Sequence, residues 1–225
     1  RMLPNTPFFF DGDTQKLSAN GTFIGTHILT PSEGVSVQIN AYNFPVWGMM
    51  EKLSTSLLAG VPAIVKPATP GSYLTNAVFQ DMIESGILPE GAIQLVCGEP
   101  GNILDYVQDG DSVLFTGSAS TGKKLKSLPS VSTNAVRFNM EADSLNCSIL
   151  GLDAKPGTPE FDLFIKEVRT EMTTKAGQKC TAIRRIIVPE NLVGEVQNAL
   201  IKALDQTKIG NPLNRETRMG SIVGK

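Results

Sequence analysis

Cys180 stands in "GQKCTA", with Lys175, Lys179, Arg184 and Arg185 no more than five positions away. A cysteine attacks as its thiolate, and neighbouring cations favour that form. The same residue type is also a common unreactive core residue, so its surroundings must decide. Glu141, in "NMEADSLN", lies 39 positions earlier. It follows an apolar run, so it is expected partly buried at a strand end. There a carboxylate can have a raised pKa and serve as a general base, or it is simply hydrogen-bonded to a loop. Asn43, in "INAYNFP", offers an amide to a developing oxyanion, or is a turn asparagine ahead of Pro45. Lys66, in "VKPATP", closes a buried run, where it meets a ligand hydroxyl or phosphate, or snorkels from the strand end. "FTGSASTG" runs from a strand through Gly117 and Ser118 into a helix, where backbone N–H groups and the helix dipole can hold a phosphate. Its glycine spacing, G-x4-G, is neither G-x-G-x-x-G nor a P-loop.

The elements that must position these residues alternate from Glu33 onward. "GVSVQI", "VPAIVK", "AIQLVC", "SVLFTG" and "NAVRFNM" read as strands. Between them "PVWGMMEKLSTSLLAG", "GSYLTNAVFQDMIES", "GNILDYVQ" and "STGKKLKSL" read as helices. Pro45 opens the first helix and Gly60 closes it; Thr69 and Pro70 offer an N-cap and first-turn proline to the second. Continuous apolar strands between helices predict an α/β fold: a Rossmann-like open parallel sheet with helices on both faces, over 33–150. Ligands of such sheets bind at the carboxyl ends of the strands, which is where Asn43, Lys66, Ser118 and Glu141 fall. Ahead of it, 1–32 predicts a β-hairpin, with "SANG" between "FFFDGDTQKL" and "TFIGTHILT". His27 in its second arm reads as a packing or surface residue. A second α/β section starts at 151. Phe161, Phe164, Ile165, Val168 and Met172 predict a helix over 159–173 with a core-facing stripe. The loop 176–181 carries Cys180, and "AIRRIIVP" and "ENLVGEVQNALIKALDQ" follow as strand and helix.

Twenty basic against 22 acidic residues, a net charge of −2, argue against a nucleic-acid groove. Cys97, Cys147 and Cys180 are scattered, and His27 is the single histidine. No metal site or disulfide framework is expected, and Cys97 and Cys147 read as buried structural thiols in a reducing cytoplasm. No run of ~18 apolar residues marks a membrane span, and no secretion signal is visible. The chain opens on Arg1 and ends after "RMGSIVGK", and reads as a piece of a longer protein.

The order Asn, Lys, Gly-Ser, Glu, Cys, in "NFP", "KPA", "FTGS", "ME" and "GQKC", resembles the aldehyde dehydrogenase superfamily. The resemblance covers nearly the whole chain but only the middle of such an enzyme. "MEADSLN" and "RTEMTTKAGQKCTAIRRIIVP" resemble the aldehyde dehydrogenase domains of bifunctional phenylacetate-degradation, oxepin-CoA ring-opening proteins. It implies that Cys180 is the thiolate nucleophile and Glu141 the base for the deacylating water. It implies an oxyanion hole from Asn43 and the Cys180 N–H, and a proton-relay role for Lys52. Lys66 would hold the adenosine ribose or its phosphate, Ser118 the pyrophosphate. The hairpin would belong to a bridging, oligomerisation element, 33–150 would bind a dinucleotide, and 151–225 would begin the catalytic domain of a homo-oligomeric parent.

Departures from the family pattern matter. Ala142 and Asp143 follow Glu141 in place of two glycines, which narrows that turn. Thr69 replaces the acidic residue three positions after the lysine, which implies NADP, with NAD possible. The later Glu-x-Phe-Gly-Pro motif does not occur in the chain. The implied activity is oxidation of an aldehyde, carried as a CoA-linked semialdehyde in aromatic-acid breakdown, to a free acid. Two alternatives stay open: an acylating enzyme in which coenzyme A takes the acyl group, and a cofactor-binding piece without turnover of its own.

Overall fold

The computed structural model describes residues 9–224, so the first eight residues of the expected hairpin segment lie outside it. The chain divides into two compact units between Ala142 and Asp143, ahead of the 150/151 boundary read from the sequence. The reason is a strand, Cys147–Ile149, that pairs within the second unit.

In the first unit β1 (Phe9–Lys16) and β2 (Ile24–Leu29) form an antiparallel ribbon, with Asp11 opposite His27. Asn20 Oδ1 accepts from Ser18 Oγ (2.9 Å) and Thr22 Oγ1 (2.7 Å), and Gly21 takes a φ of 70°, so "SANG" makes the turn. His27 is exposed.

The main sheet contains β3 (Ser36–Ile39), β4 (Ala63–Lys66), β5 (Ile93–Leu95), β6 (Ser112–Gly117) and β7 (Arg137–Ala142), in the order β5-β4-β3-β6-β7, all parallel. The strand order reverses between β3 and β6, and helices cover both faces. On one face α1 (Trp47–Leu58) and α2 (Ser72–Glu84) bury Met49, Leu53 and Phe79 against Ala63, Val65 and Ile93. On the other, α3 (Ala119–Lys126), the short α4 (Pro129–Thr133) and the turn Ile103–Tyr106 pack Leu104 and Val131 on Val37 and Val113. Each strand shows alternate residues to the two layers. In β3, Val37 faces the α3 side, while Ser36 and Gln38 bond Ser56 of α1.

Two local readings are corrected. Thr69 is not an N-cap: Thr69–Gly71 is a 3-10 turn whose Thr69 carbonyl accepts from Ser72, and α2 starts there. "GNILDYVQ" yields only the 3-10 turn Ile103–Tyr106. The short α4, opened by Pro129, adds a helix in a stretch that the sequence reading did not assign.

In the second unit α5 (Pro159–Thr173) and α6 (Val193–Asp205) pack around Phe161, Phe164, Val168, Val196 and Leu200. Thr158 caps α5 by accepting from Phe161 N (3.3 Å), Pro159 fills the first turn, and Glu160 and Asp162 suit the helix dipole. Met172 leaves the stripe and is exposed. β8 (Cys147–Ile149) pairs in parallel with β9 (Arg185–Ile187). No helix among the described residues is long and apolar enough to cross a membrane.

Candidate active site

The register of the main sheet brings Lys66, Ile39, Phe115 and Met140 into one row across β4, β3, β6 and β7. Residues of one row share a face. Ile39 packs into the α3-side cluster, so Lys66 leaves the carboxyl edge of β4 on that face. Gly122 of α3 lies over the same row: a Cβ there would fall 2.3 Å from Met140 Sδ and 3.0 Å from Phe115 Cε1. A Cβ on Gly117 would fall 2.6 Å from Phe115 Cζ. Both glycines therefore let α3 lie close on β6 and β7.

Ser118 is the N-cap of α3. Its Oγ accepts from Thr121 N (3.3 Å) and donates to Thr121 Oγ1 (2.9 Å). The helix start, with its N–H groups and positive dipole end, thus lies at the carboxyl edge of β6 on the face that carries Lys66. A cation, a helix N-terminus and a strand-order reversal share one sheet edge, and this fits a dinucleotide. Thr69 is exposed in its 3-10 turn, three residues beyond Lys66.

Asn43 lies half-buried in the turn between β3 and α1. That turn is pinned by α2: buried Thr75 donates to Pro45 O (3.1 Å), and Gly71 leaves room for Pro45 Cβ, which a side chain there would meet at 3.3 Å. Lys52, within α1, donates to Glu51 Oε1 (3.1 Å) and Gly48 O (3.2 Å).

Glu141 occupies the opposite face of the sheet from Lys66, one residue after Met140. Its Oε2 accepts from Thr116 Oγ1 on β6 (3.4 Å). It was expected partly buried; it is exposed, because β7 is an edge strand and Glu141 lies on its face away from α3. Cys97 and Cys147, expected as buried thiols, are also exposed. Cys97 follows the edge strand β5 and Cys147 opens a two-stranded pair, so neither has a layer above it. Among the described residues no cluster of His, Cys, Asp and Glu could hold a metal ion. Sequence reasoning missed Asn40, whose amide is buried without a partner just past β3.

Cys180 belongs to the second unit and is exposed. α5 ends at Thr173, and the chain reverses through Lys175 and Ala176, both left-handed (φ 54° and 53°), and Gly177 (φ 71°). Asn146 Nδ2 donates to Cys180 O and to Ala182 O (3.2 Å for the latter). Arg184 Nη2 donates to Gly177 O (3.0 Å) and Lys179 O (3.4 Å). Lys179 pairs with Glu171 of α5 at 2.8 Å. Partial burial, with the Lys179 charge second, holds the Lys175 ammonium below its ordinary pKa. The thiol thus sits on a loop whose carbonyls are tied down and whose neighbours are cationic.

A sequence profile of the aldehyde dehydrogenase family matches residues 11–225. The chain belongs to the aldehyde dehydrogenase family. It is 49% identical over 215 residues to 3,4-dehydroadipyl-CoA semialdehyde dehydrogenase of Aromatoleum evansii, covering 96% of this chain and 42% of that protein. It is 28% identical to betaine aldehyde dehydrogenase of Bacillus subtilis, over 84% of this chain and 38% of the relative. Among solved structures, betaine aldehyde dehydrogenase of Staphylococcus aureus in complex with NAD+ superposes with a TM-score of 0.75 at 27% identity, over 85% of this chain and 37% of the other. The α/β sheet predicted from the sequence is the fold of this family. The chain spans about two fifths of the length of these relatives.

Proposed function

We propose that the protein containing this chain oxidises an aldehyde to a carboxylic acid with NAD(P), through a thioester on Cys180. The observation that carries the reading is the 49% identity to a CoA-semialdehyde dehydrogenase along 96% of the chain, with Cys180 and Glu141 both present. The Cys180 thiolate adds to the carbonyl carbon, and its oxygen becomes an oxyanion. Asn43 and the Cys180 N–H donate to that oxyanion. Hydride leaves the same carbon, for which a bound nicotinamide dinucleotide would supply the acceptor. Glu141 then deprotonates a water, which attacks the thioester and frees the acid and the thiolate. Lys66, Thr69, Gly117 and Ser118 serve the dinucleotide, and Lys52 a proton relay.

The substrate is a semialdehyde on a CoA thioester from aromatic-acid breakdown, as the relative's name supports. The cofactor is NADP in preference to NAD. The parent works in the cytoplasm as a homo-oligomer, with the hairpin in its bridging element, 33–150 holding the dinucleotide and 151–225 beginning the catalytic domain. The 225-residue chain alone should not turn over, since it spans 42% of that relative's length.

The test uses the full-length protein. Cys180→Ala should abolish oxidation. Glu141→Gln should give one burst of NAD(P)H per site and stall as a thioester on the Cys180 peptide, visible by mass. Steady turnover by Cys180→Ala contradicts the mechanism. Acyl-CoA in place of free acid as product identifies the acylating alternative.

A further inference from the structure

The segment before Cys180 is strained. Lys175 (φ 54°, ψ 29°) and Ala176 (φ 53°, ψ 34°) are consecutive non-glycine residues in the left-handed region. Such conformations persist only where the surroundings over-determine them, and they collect at functional sites. Here the surroundings are specific. Gln178 N and Nε2 both donate to Lys175 O, at 3.1 and 3.0 Å. Arg184 Nη2 holds Gly177 O at 3.0 Å and Lys179 O at 3.4 Å, and Ala182 N holds Lys179 O at 3.2 Å. Asn146 Nδ2 holds Cys180 O and Ala182 O, while Asn146 O accepts from Arg184 N (2.9 Å) and Arg185 N (3.1 Å). Both side-chain partners of Asn146 are carbonyls, which only accept, so its amide nitrogen must be the end that faces them.

We propose that Asn146 and Arg184 are positioning residues for the nucleophile, each fixing one of the two peptide planes that flank Cys180. This rests on Cys180 being the nucleophile. In a planar trans peptide the C=O and N–H point in opposite directions. Arg184 and Ala182 N–H draw the Lys179 carbonyl to their side, so the N–H of Cys180 points away from them. Asn146 draws the Cys180 carbonyl and so sets the following plane. With both planes held, the backbone dihedrals of Cys180 are fixed, and only its χ1 is left to place Sγ. The guanidinium on the Lys179 carbonyl also polarises that peptide and strengthens the Cys180 N–H as a donor to an oxyanion.

The test is made in the full-length protein. Asn146→Asp keeps the shape but puts a carboxylate against two carbonyl oxygens. Arg184→Met removes the fork, and Arg184→Lys restores the charge. The readouts are the rate of the NAD(P)H burst, the KM for cofactor, and the pH profile of Cys180 alkylation by iodoacetamide. A catalytic group misplaced by an ångström costs ~10²-fold. Asn146→Asp and Arg184→Met should therefore slow the burst roughly 10- to 100-fold, with cofactor KM within about twofold. Arg184→Lys should recover part of the loss. A burst within twofold of wild type in folded Asn146→Asp overturns the proposal. Should that variant not fold, Arg184→Met, at an exposed residue, decides by the same criterion. Wild-type turnover by a parallel Cys180→Ala removes the premise itself, and is distinguishable because it leaves no thiol to position.

Discussion

Lys179 Nζ stands 2.8 Å from Glu171 Oε1, with side-chain exposures of 12% and 27%, directly before Cys180. The other carboxylate oxygen, Glu171 Oε2, is buried without a partner. The pair therefore ties the Cys180 loop to α5 in a largely dry setting. Breaking a fully buried pair costs ~3–5 kcal/mol, because one charge is left uncompensated. With the residual exposure here, Lys179→Met should cost ~2–3 kcal/mol. Lys179→Met combined with Glu171→Leu should recover most of it. Urea unfolding midpoints of the two variants give the answer, and equal loss in both contradicts the argument.

Lys175 has a folded-state pKa below its ordinary 10.5, through desolvation first and Lys179 second. Between the lowered and the ordinary value the unfolded chain binds more protons than the folded one, so stability rises with pH across that window. Below it both states are protonated and the full penalty stands. Lys175→Gln should accordingly raise the melting temperature at pH 7, and the gain should shrink as pH climbs toward 10.5. A gain that is constant with pH rules out titration of Lys175 as its source.

Much of this was legible in the sequence for physical reasons. α5 carries its own start signal in Thr158–Pro159 and a core stripe at helical spacing. The five strands of the main sheet are short apolar runs between helices, and the sheet follows from them. Position at an edge was not legible. Glu141, Cys97 and Cys147 were assigned burial from residue type or strand end, but edge strands and a two-stranded pair leave them open. β8 is three residues long, too short for its own pattern to mark it, and it exists because β9, far along the chain, pairs with it. Asn146 and Arg185 act on carbonyls 34 and 40 positions away, so no local pattern announces them. The left-handed Lys175 and Ala176 carry residue types that ordinarily predict helix.

Gly122 tests whether α3 must lie close on the sheet. Ala at this position places a Cβ 2.3 Å from Met140 Sδ and 3.0 Å from Phe115 Cε1. Met140 can move, but the Phe115 ring is buried. Overpacking of this kind costs ~1–3 kcal/mol, against which the better helix propensity of Ala returns under ~1 kcal/mol. Gly122→Ala should therefore be net destabilising, and by shifting the helix start at Ser118 it should weaken dinucleotide binding. Thermal melts and cofactor titration measure both. A stabilised variant with unchanged affinity shows that α3 has room to spare.

Thr69 tests the cofactor preference. It is exposed, three residues past Lys66, in the 3-10 turn that follows β4. A carboxylate at this point would accept from a ribose 2′-hydroxyl and repel a 2′-phosphate. Two unit charges ~4 Å apart interact by ~1 kcal/mol in water and ~4 kcal/mol near a protein surface. Each ~1.4 kcal/mol is tenfold in an equilibrium. Thr69→Glu should thus lower the NADP-to-NAD ratio of kcat/KM by roughly 10- to 100-fold, mostly through poorer use of NADP. Lys66→Ala should weaken both cofactors and NADP more, if, as proposed, it removes the cation that pairs with the extra phosphate. Steady-state kinetics with both cofactors on the full-length protein provide the measurement. A ratio unmoved by Thr69→Glu means that the turn does not meet the 2′ position, and that Lys66 reads the ribose alone.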